Sequence, residues 1–173
     1  MWSVECGNHF RVPLDKPAMI ISKDLQRPPF AGQNQFKHHV GVTYVAVDRG
    51  RIFGFATIAP GHVEIDDLPV TARRKLPRYP LPVVRLARLA VDESAHGQGV
   101  GAQLLRFVLN LAVRLATDYG CIGVIVDAKP DAIAFYSKYG FIVVETVEGQ
   151  SDARPQPCAM FLSMSAIKAA SGK

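Results

Sequence analysis

Leu89-Ala90-Val91-Asp92-Glu93-Ser94-Ala95-His96-Gly97-Gln98-Gly99-Val100-Gly101-Ala102 is the stretch whose reading decides the architecture of this 173-residue chain. It starts as the end of an apolar strand, Pro82–Val91, passes through a glycine-rich turn, and enters the clearest helix in the chain, Leu104–Ala116. Glycine at positions 97, 99 and 101 lets backbone N–H groups approach a ligand with no Cβ in the way. The helix that follows adds unpaired N–H groups and the positive end of its dipole. Together these features form a site for a pyrophosphate. The same glycines would also serve a tight strand-to-helix turn that binds nothing, and so short a pattern does not separate the two. No Gly-Lys-Ser/Thr follows, so this is not a P-loop, and the GxGxG spacing departs from the GxGxxG of a dinucleotide fold.

Outward from this stretch, strands surround it on both sides. Val42–Val47 is rich in β-branched and aromatic residues, Asp48-Arg49-Gly50 turns the chain, and Ile52–Ile58 returns as the second arm of a hairpin. Ala59–Leu81 is rich in proline and charge and is expected to be a loop with one short helix at Pro69–Arg74. Residues 1–40 are irregular, with a helix expected over Ala18–Leu25, before Arg27-Pro28-Pro29. Downstream, Arg106, Asn110 and Arg114 fall four apart and make one wet stripe on an apolar helix. Cys121–Val126 then reads as a buried strand, Asp131–Lys138 as a short helix, Phe141–Thr146 as a strand, Glu148–Pro157 as a loop and Ala159–Ser163 as the last strand. This order gives an α/β (α+β) fold in one domain over 1–173, with its core at about 41–163.

Composition agrees with one compact domain. Hydrophobic residues make up 49% and charged residues 20%, the balance of a globular chain rather than of a disordered or fibrous one. Cys6, Cys121 and Cys158 are too dispersed for a CxxC motif and read as cytosolic thiols, Cys121 in the core. No signal segment follows Met1 and no apolar run reaches the ~18–20 residues of a membrane helix, so a cytoplasmic protein with no membrane contact is expected. His38-His39 and His62 lack metal-ligand spacing, and no Ser-His-Asp grouping is visible. The net charge of +5 leaves open an anionic partner or an unremarkable surface.

A second element completes the pattern: Ala134-Phe135-Tyr136-Ser137-Lys138-Tyr139-Gly140-Phe141, after the strand ending at Asp127-Ala128. Its aromatics would suit a core, and a tyrosine there would by itself be packing. The glycine loop and this element, in order and separated by one amphipathic helix and one strand, resemble the GNAT superfamily of acetyl-CoA-dependent acyltransferases. The likeness runs from about Leu86 to Phe141, with His96 standing where the family usually has Gln or Arg. Arg73-Arg74-Lys75-Leu76-Pro77-Arg78-Tyr79-Pro80, the strand Leu86–Asp92 and Val126-Asp127-Ala128-Lys129 are similar to the GNAT toxins of toxin–antitoxin pairs. The N-terminal quarter is less similar.

The resemblance implies a GNAT fold, a mixed central sheet flanked by helices with the pyrophosphate loop after its fourth strand. It implies acetyl-CoA as co-substrate and no metal. His96, Gly97, Gln98, Gly99, Val100, Gly101 and Ala102 would hold the pyrophosphate, and Leu89, Ala90 and Val91 would pair with the pantetheine arm as an added strand. Tyr136 would face the sulfur as the catalytic group. Toxins of this kind acetylate the α-amino group of aminoacyl-tRNA and block translation, usually as dimers paired with a ribbon-helix-helix antitoxin.

Two features of the sequence bear on the acceptor. Val83–Val91 contains no Asp, Glu or His. A lysine amine, with a pKa of about 10.4, needs a base to lose its proton, whereas an α-amine near about 7.7–8.0 is partly neutral already. The missing base therefore suits an aminoacyl ester, although Glu64, Asp66, Asp67 or a water could be placed there by folding. Residues 71–88 hold Arg73, Arg74, Lys75, Arg78, Arg85 and Arg88 with no acid, a run that would rim the acceptor side and hold RNA phosphates, with Lys37 and Arg114 contributing, or else form a solvated surface. The alternatives are a GNAT acting on a small-molecule or protein amine without a toxin role, and a catalytically idle acyl-CoA-binding module.

Overall fold

The computed structural model describes residues 9–11, 20–22, 40–68, 73, 76–144 and 157–171. The chain forms two compact units that alternate along the sequence: residues 1–58 with 88–107, and residues 59–87 with 108–173.

In the first unit, β1 (His9–Arg11), β2 (Ile20–Ser22), β3 (Val42–Asp48) and the first part of β4 (Arg51–Val63) follow one another as antiparallel neighbours. The expected helix over Ala18–Leu25 is corrected here: Ile20 pairs with Val47 and Ile21 with Ala46. Two consecutive β-branched residues favour a strand once a sheet edge is available to receive them. The β3–β4 hairpin matches the sequence reading. Its two-residue loop places Arg49 and Gly50 at φ 49° and 80°, the left-handed pair that matches the twist of the arms. The register shifts between Ala46 and Val47, where Ala46 faces Gly54 but Val47 faces Ile52. Phe53 is therefore the extra residue on β4, and its carbonyl accepts from Asp92 N at 2.8 Å. Buried Thr43 and Thr57 face each other and share a hydroxyl hydrogen bond of 2.8 Å.

β5 (Leu81–Val91) ends in this unit, and α1 (Val100–Asp118) begins in it. Gly54 is required by close approach: a Cβ there would lie 2.7 Å from the Ala90 carbonyl and 3.1 Å from Leu104. Tyr44 packs on Phe107 with ring centroids 4.8 Å apart. Leu104, Leu105, Val108 and Ala112 of α1 are buried, and Arg106, Asn110 and Arg114 form the exposed stripe expected of them. By length and composition α1 is long and apolar enough to cross a bilayer, which corrects the expectation that no segment is. Its buried stripe is that of a core helix.

In the second unit the strand order is β5, β6 (Gly123–Ala128), β8 (Cys158–Ser163), β7 (Ile142–Val143). β5 and β6 are parallel, with Val84, Arg85 and Leu86 opposite Val124, Ile125 and Val126. The other pairs are antiparallel, so the sheet is mixed and the fold is α/β, as the sequence implies. Val63, Leu68, Leu81, Val83, Ile125, Val144 and Phe161 form one buried cluster. Gly123 lets β6 meet β8, since a Cβ there would sit 2.3 Å from the Leu162 carbonyl.

Several boundaries differ from the sequence reading. β4 continues through Ala59–Val63, where a loop was expected, and a 3-10 turn follows at Ile65–Asp67. Proline and glycine at 60 and 61 suggest a break, but Pro60 is exposed and Gly61 lies against Val83 and Arg85, so the strand runs on. Of the helix expected at Pro69–Arg74, only Arg73 lies within the described residues, and it is helical. The strand expected at Phe141–Thr146 is Ile142–Val143, extended by a bond from Val144 N to Ala159 O, while 145–146 lie outside the described residues. The short helix divides into a 3-10 turn, Pro130–Ala132, and α2 (Ile133–Ser137). A C-terminal helix, α3 (Met164–Ser171), was not expected at all.

Candidate active site

The turn between β5 and α1 is organised around Ser94. Asp92 caps a 3-10 turn at Glu93–Ala95, its Oδ1 accepting from Ser94 N at 3.0 Å and from the Ser94 hydroxyl. These bonds hold the Asp92 carboxyl below its ordinary pKa, with the nearby Arg51 and His96 acting in the same direction. Gln98 Nε2 donates back to the Ser94 carbonyl at 2.8 Å, and His96 Nε2 donates to the Val91 carbonyl at 3.0 Å. Arg51 reaches in from β4, with Nη2 2.7 Å from Ser94 Oγ and 3.5 Å from Asp92 Oδ1. Ala95 is buried, while His96, Gly97, Gln98 and Gly99 are exposed.

Gly97 and Gly99 have φ of 76° and 84°, and a Cβ at either would meet nothing within 4 Å. Glycine is needed for the backbone conformation, not for space inside the protein. Gly99 is also the residue that opens α1: its carbonyl accepts the first helical bond, from Gln103 N at 3.1 Å. Helix-opening positions are usually Ser, Thr, Asp or Asn, whose side chains satisfy the first N–H groups. Glycine has no such group. The N–H groups of Val100, Gly101 and Ala102 therefore lack an intrahelical partner at the positive end of a 19-residue helix. An anion fits this arrangement, and a pyrophosphate fits it well.

Leu89, Ala90, Val91 and His96–Ala102 all belong to the first unit. Ala90 is exposed, Leu89 and Val91 are half-buried, Val100 is buried, and Gly101 and Ala102 are half-buried. The registered pairing of β5 with β6 ends at Leu86, and β5 runs on to Val91.

Tyr136 belongs to the second unit, on α2. It is 5% exposed and packs edge-on to Phe135 at 5.1 Å and to Phe141 at 5.5 Å. This apolar burial pushes its phenol up to about 12. The group keeps its proton at any physiological pH and can act only as a hydrogen-bond donor or a proton source.

The basic run divides. Arg73 donates from Nε to the Leu68 carbonyl and from Nη2 to the Asp66 carbonyl, and pairs with the Asp66 carboxylate at 3.4 Å. It holds the Ile65–Leu68 turn. Arg85 pairs with Asp127 across β5 and β6. Both partners are partly exposed, so the pair is worth at most about 1 kcal/mol to stability. Arg78 and Arg88 are exposed, and Arg74 and Lys75 lie outside the described residues. Arg85 also lines a cleft of about 250 Å³ with Pro60, Gly61, His62, Glu64 and Asp67. Glu64 and Asp67 are the only residues of this cleft that sequence reasoning singles out for a role beside Arg85, and Arg51 carries no local signal, since its hydrogen-bond partners are more than forty positions away. Among the described residues, no group of three or more His, Cys, Asp or Glu side chains could hold a metal.

Residues 39–143 match the acetyltransferase (GNAT) domain family. The chain belongs to that family. A tRNA-acetylating toxin of Mycobacterium tuberculosis is 38% identical over 104 residues, which span 60% of this GNAT chain and 62% of the toxin. Among solved structures, a tyrosine-to-phenylalanine variant of KacT has a TM-score of 0.70 at 26% identity, covering 82% of each chain. AtaT in complex with acetyl-methionyl-tRNAfMet has a TM-score of 0.69 at 25% identity, covering 79% of each chain. AtaTR with acetyl-CoA bound has a TM-score of 0.62 at 27% identity, covering 79% of this GNAT chain and 78% of that one.

Proposed function

We propose that this GNAT chain, acting as one domain, is an acetyl-CoA-dependent N-acetyltransferase of the toxin type that acetylates the α-amino group of aminoacyl-tRNA in the cytoplasm and so blocks translation. The observation that carries the reading is the glycine-opened N-terminus of α1, which leaves the Val100, Gly101 and Ala102 N–H groups for a pyrophosphate. The identity to a tRNA-acetylating toxin supports the acceptor. On the same reading the chain works as a dimer under a ribbon-helix-helix antitoxin.

Gly97, Gly99, Val100, Gly101 and Ala102 hold the pyrophosphate through their backbone N–H groups, while His96 and Gln98, whose own N–H groups donate to the Glu93 and Ala95 carbonyls, shape the turn. Leu89, Ala90 and Val91 receive the pantetheine arm on their backbone, using groups other than the Val91 carbonyl, which His96 already holds. Acetyl-CoA supplies an acetyl group activated as a thioester. Arg78 and Arg88, with Arg74 and Lys75, hold RNA phosphate; Arg73 and Arg85 contribute positive charge from their fixed positions on Asp66 and Asp127.

Tyr136 holds its Oη proton and donates a hydrogen bond to the departing sulfur. Full transfer of that proton, from a phenol at about 12 to a thiolate of ordinary pKa about 8.5, is uphill by about 5 kcal/mol. The stabilising event is thus a hydrogen bond that strengthens as negative charge develops on sulfur. The decisive experiment is mass spectrometry of an aminoacyl-tRNA pool after incubation with the protein and acetyl-CoA, beside a panel of small amines and peptides. An acetyl group on the aminoacyl nitrogen is expected. Turnover on small amines or peptides alone would replace the toxin reading, and no CoA release with any acceptor would remove the enzymatic one.

A further inference from the structure

Exposed turns with two left-handed glycines are not held by packing. Residues 96–99 are solvent-facing, and Gly97 and Gly99 have open space around them. Ala95 anchors the turn by burial, backbone bonds from Ala95, His96 and Gln98 N to the Asp92, Glu93 and Ala95 carbonyls shape it, and its close side-chain bonds other than that of His96 meet at Ser94. The Ser94 N–H and hydroxyl go to Asp92, its carbonyl receives Gln98, and its Oγ receives Arg51. Arg51 is the member of this network that comes from another strand. Its own position is set by stacking on Phe53, with Cζ 5.1 Å from the ring centroid. Phe53 is the bulged residue whose carbonyl takes the Asp92 N–H. The hairpin therefore grips the start of the turn twice, once through backbone and once through Arg51.

We propose that Arg51 is a positioning residue for the anion-binding turn, fixing Ser94 and through it Gln98 and the glycines, so that the α1 N–H groups are presented in a geometry ready for the pyrophosphate of acetyl-CoA. The inference rests on the acetyl-CoA reading above and concerns a residue that the glycine pattern does not include. An ordered turn avoids the entropy cost of organising it on binding, so losing Arg51 weakens cofactor affinity without touching the acetyl-transfer step.

The test measures acetyl-CoA dissociation constants by calorimetry and hydrogen exchange of residues 94–99 on the full chain. Arg51→Ala raises Kd about three- to tenfold, the scale of one solvent-exposed hydrogen bond, and speeds exchange across the turn. Saturating acetyl-CoA restores kcat, and the acceptor KM stays unchanged. Arg51→Lys recovers part of the affinity. Arg49→Asn removes the same charge two positions away, at a left-handed site that Asn tolerates, and leaves Kd unchanged. In a Ser94→Ala background, Arg51→Ala has a smaller effect than in the parent, because the Arg51–Ser94 bond is already gone and only the longer pairing with Asp92 remains to be lost. Equal Kd for the parent and Arg51→Ala overturns the proposal, as does full additivity with Ser94→Ala or an equal loss from Arg49→Asn. Failure of the parent itself to bind acetyl-CoA overturns the functional reading and this inference with it.

Discussion

Replacing Tyr136 by Phe removes one oxygen from a side chain that is 5% exposed and leaves its ring contacts with Phe135 and Phe141 in place. The fold and the acetyl-CoA affinity should therefore persist. On the role proposed for Tyr136 the turnover should not, because losing a donor to developing negative charge costs about 10²–10³ in kcat. The assay is CoA release with saturating aminoacyl-tRNA and acetyl-CoA, run beside calorimetric binding of acetyl-CoA. The pH profile adds a second constraint. A phenol pushed up to about 12 stays protonated through the assay range, so no descending limb from Tyr136 should appear below about pH 10. The rising limb should come from the acceptor amine, near about pH 7.7–8.0 or lower. Stability carries the same signature. With the folded pKa at about 12 and the unfolded value at about 10, the folded state holds the proton longer, so the contribution is constant below about pH 10 and is lost as pH rises towards about 12. Two pKa units correspond to about 3 kcal/mol, which wild type should lose over that window and Tyr136→Phe should not. Near-normal kcat in the variant, or a defect confined to the acetyl-CoA KM, would refute the assignment.

Three further outcomes follow from the geometry. Gly99→Ala and Gly50→Ala both place a side chain at φ above 80° or at 80° with nothing within 4 Å, so each should cost about 1–2 kcal/mol in thermal unfolding, but only Gly99→Ala should weaken acetyl-CoA binding in calorimetry. Gly123→Ala drives a Cβ into the Leu162 carbonyl and the Phe161 ring, and should destabilise the chain by about 3 kcal/mol, a Tm loss on the order of 10 °C. Arg78→Ala combined with Arg88→Ala should weaken tRNA binding and reduce the slope of log affinity against log salt by about one unit per lost phosphate contact; an unchanged slope in filter binding would make both residues plain surface.

What could be read from the sequence, and what could not, follows the range of the interactions. The glycine turn was legible because its requirement is local: φ values of 76° and 84° fall on the glycines at 97 and 99. The β3–β4 hairpin was legible for the same reason, as was the exposed stripe at Arg106, Asn110 and Arg114. Ala59–Val63 was misread because Pro60 and Gly61 are local breakers, whereas the strand is held by neighbours at Val83 and Arg85. Ile20–Ser22 was misread because its strand partners, Arg11 opposite Ile20 on one side and Val47 opposite Ile20 on the other, leave no mark in the local pattern. Charge shows the contrast most sharply. Arg73 looked like its neighbours in a basic run, yet its donors go to Asp66 and Leu68. Arg51 carried no local signal, and its role depends on Asp92 and Ser94.

The acceptor and the tyrosine constrain each other. Burial makes Tyr136 a poor proton source, so little chemical drive can come from protonating the leaving thiolate early. Val83–Val91 carries no carboxylate or imidazole to draw a proton from the amine. If the carboxylates of the Arg85 cleft do not serve as the base, turnover is quick only when the substrate arrives with an amine already neutral in useful fraction at neutral pH. An α-amine near about 7.7–8.0 meets that condition and a lysine near about 10.4 does not, a difference of roughly 3 kcal/mol in the cost of deprotonation. The base-free strand thus favours an α-amine acceptor, and the high phenol pKa limits only what Tyr136 can give the leaving sulfur. A lysine peptide offered in place of aminoacyl-tRNA should be acetylated slowly at neutral pH, with a rate that keeps rising towards pH 10; efficient turnover of such a peptide at neutral pH would mean that another group, Glu64 or Asp67 of the Arg85 cleft, is serving as the base.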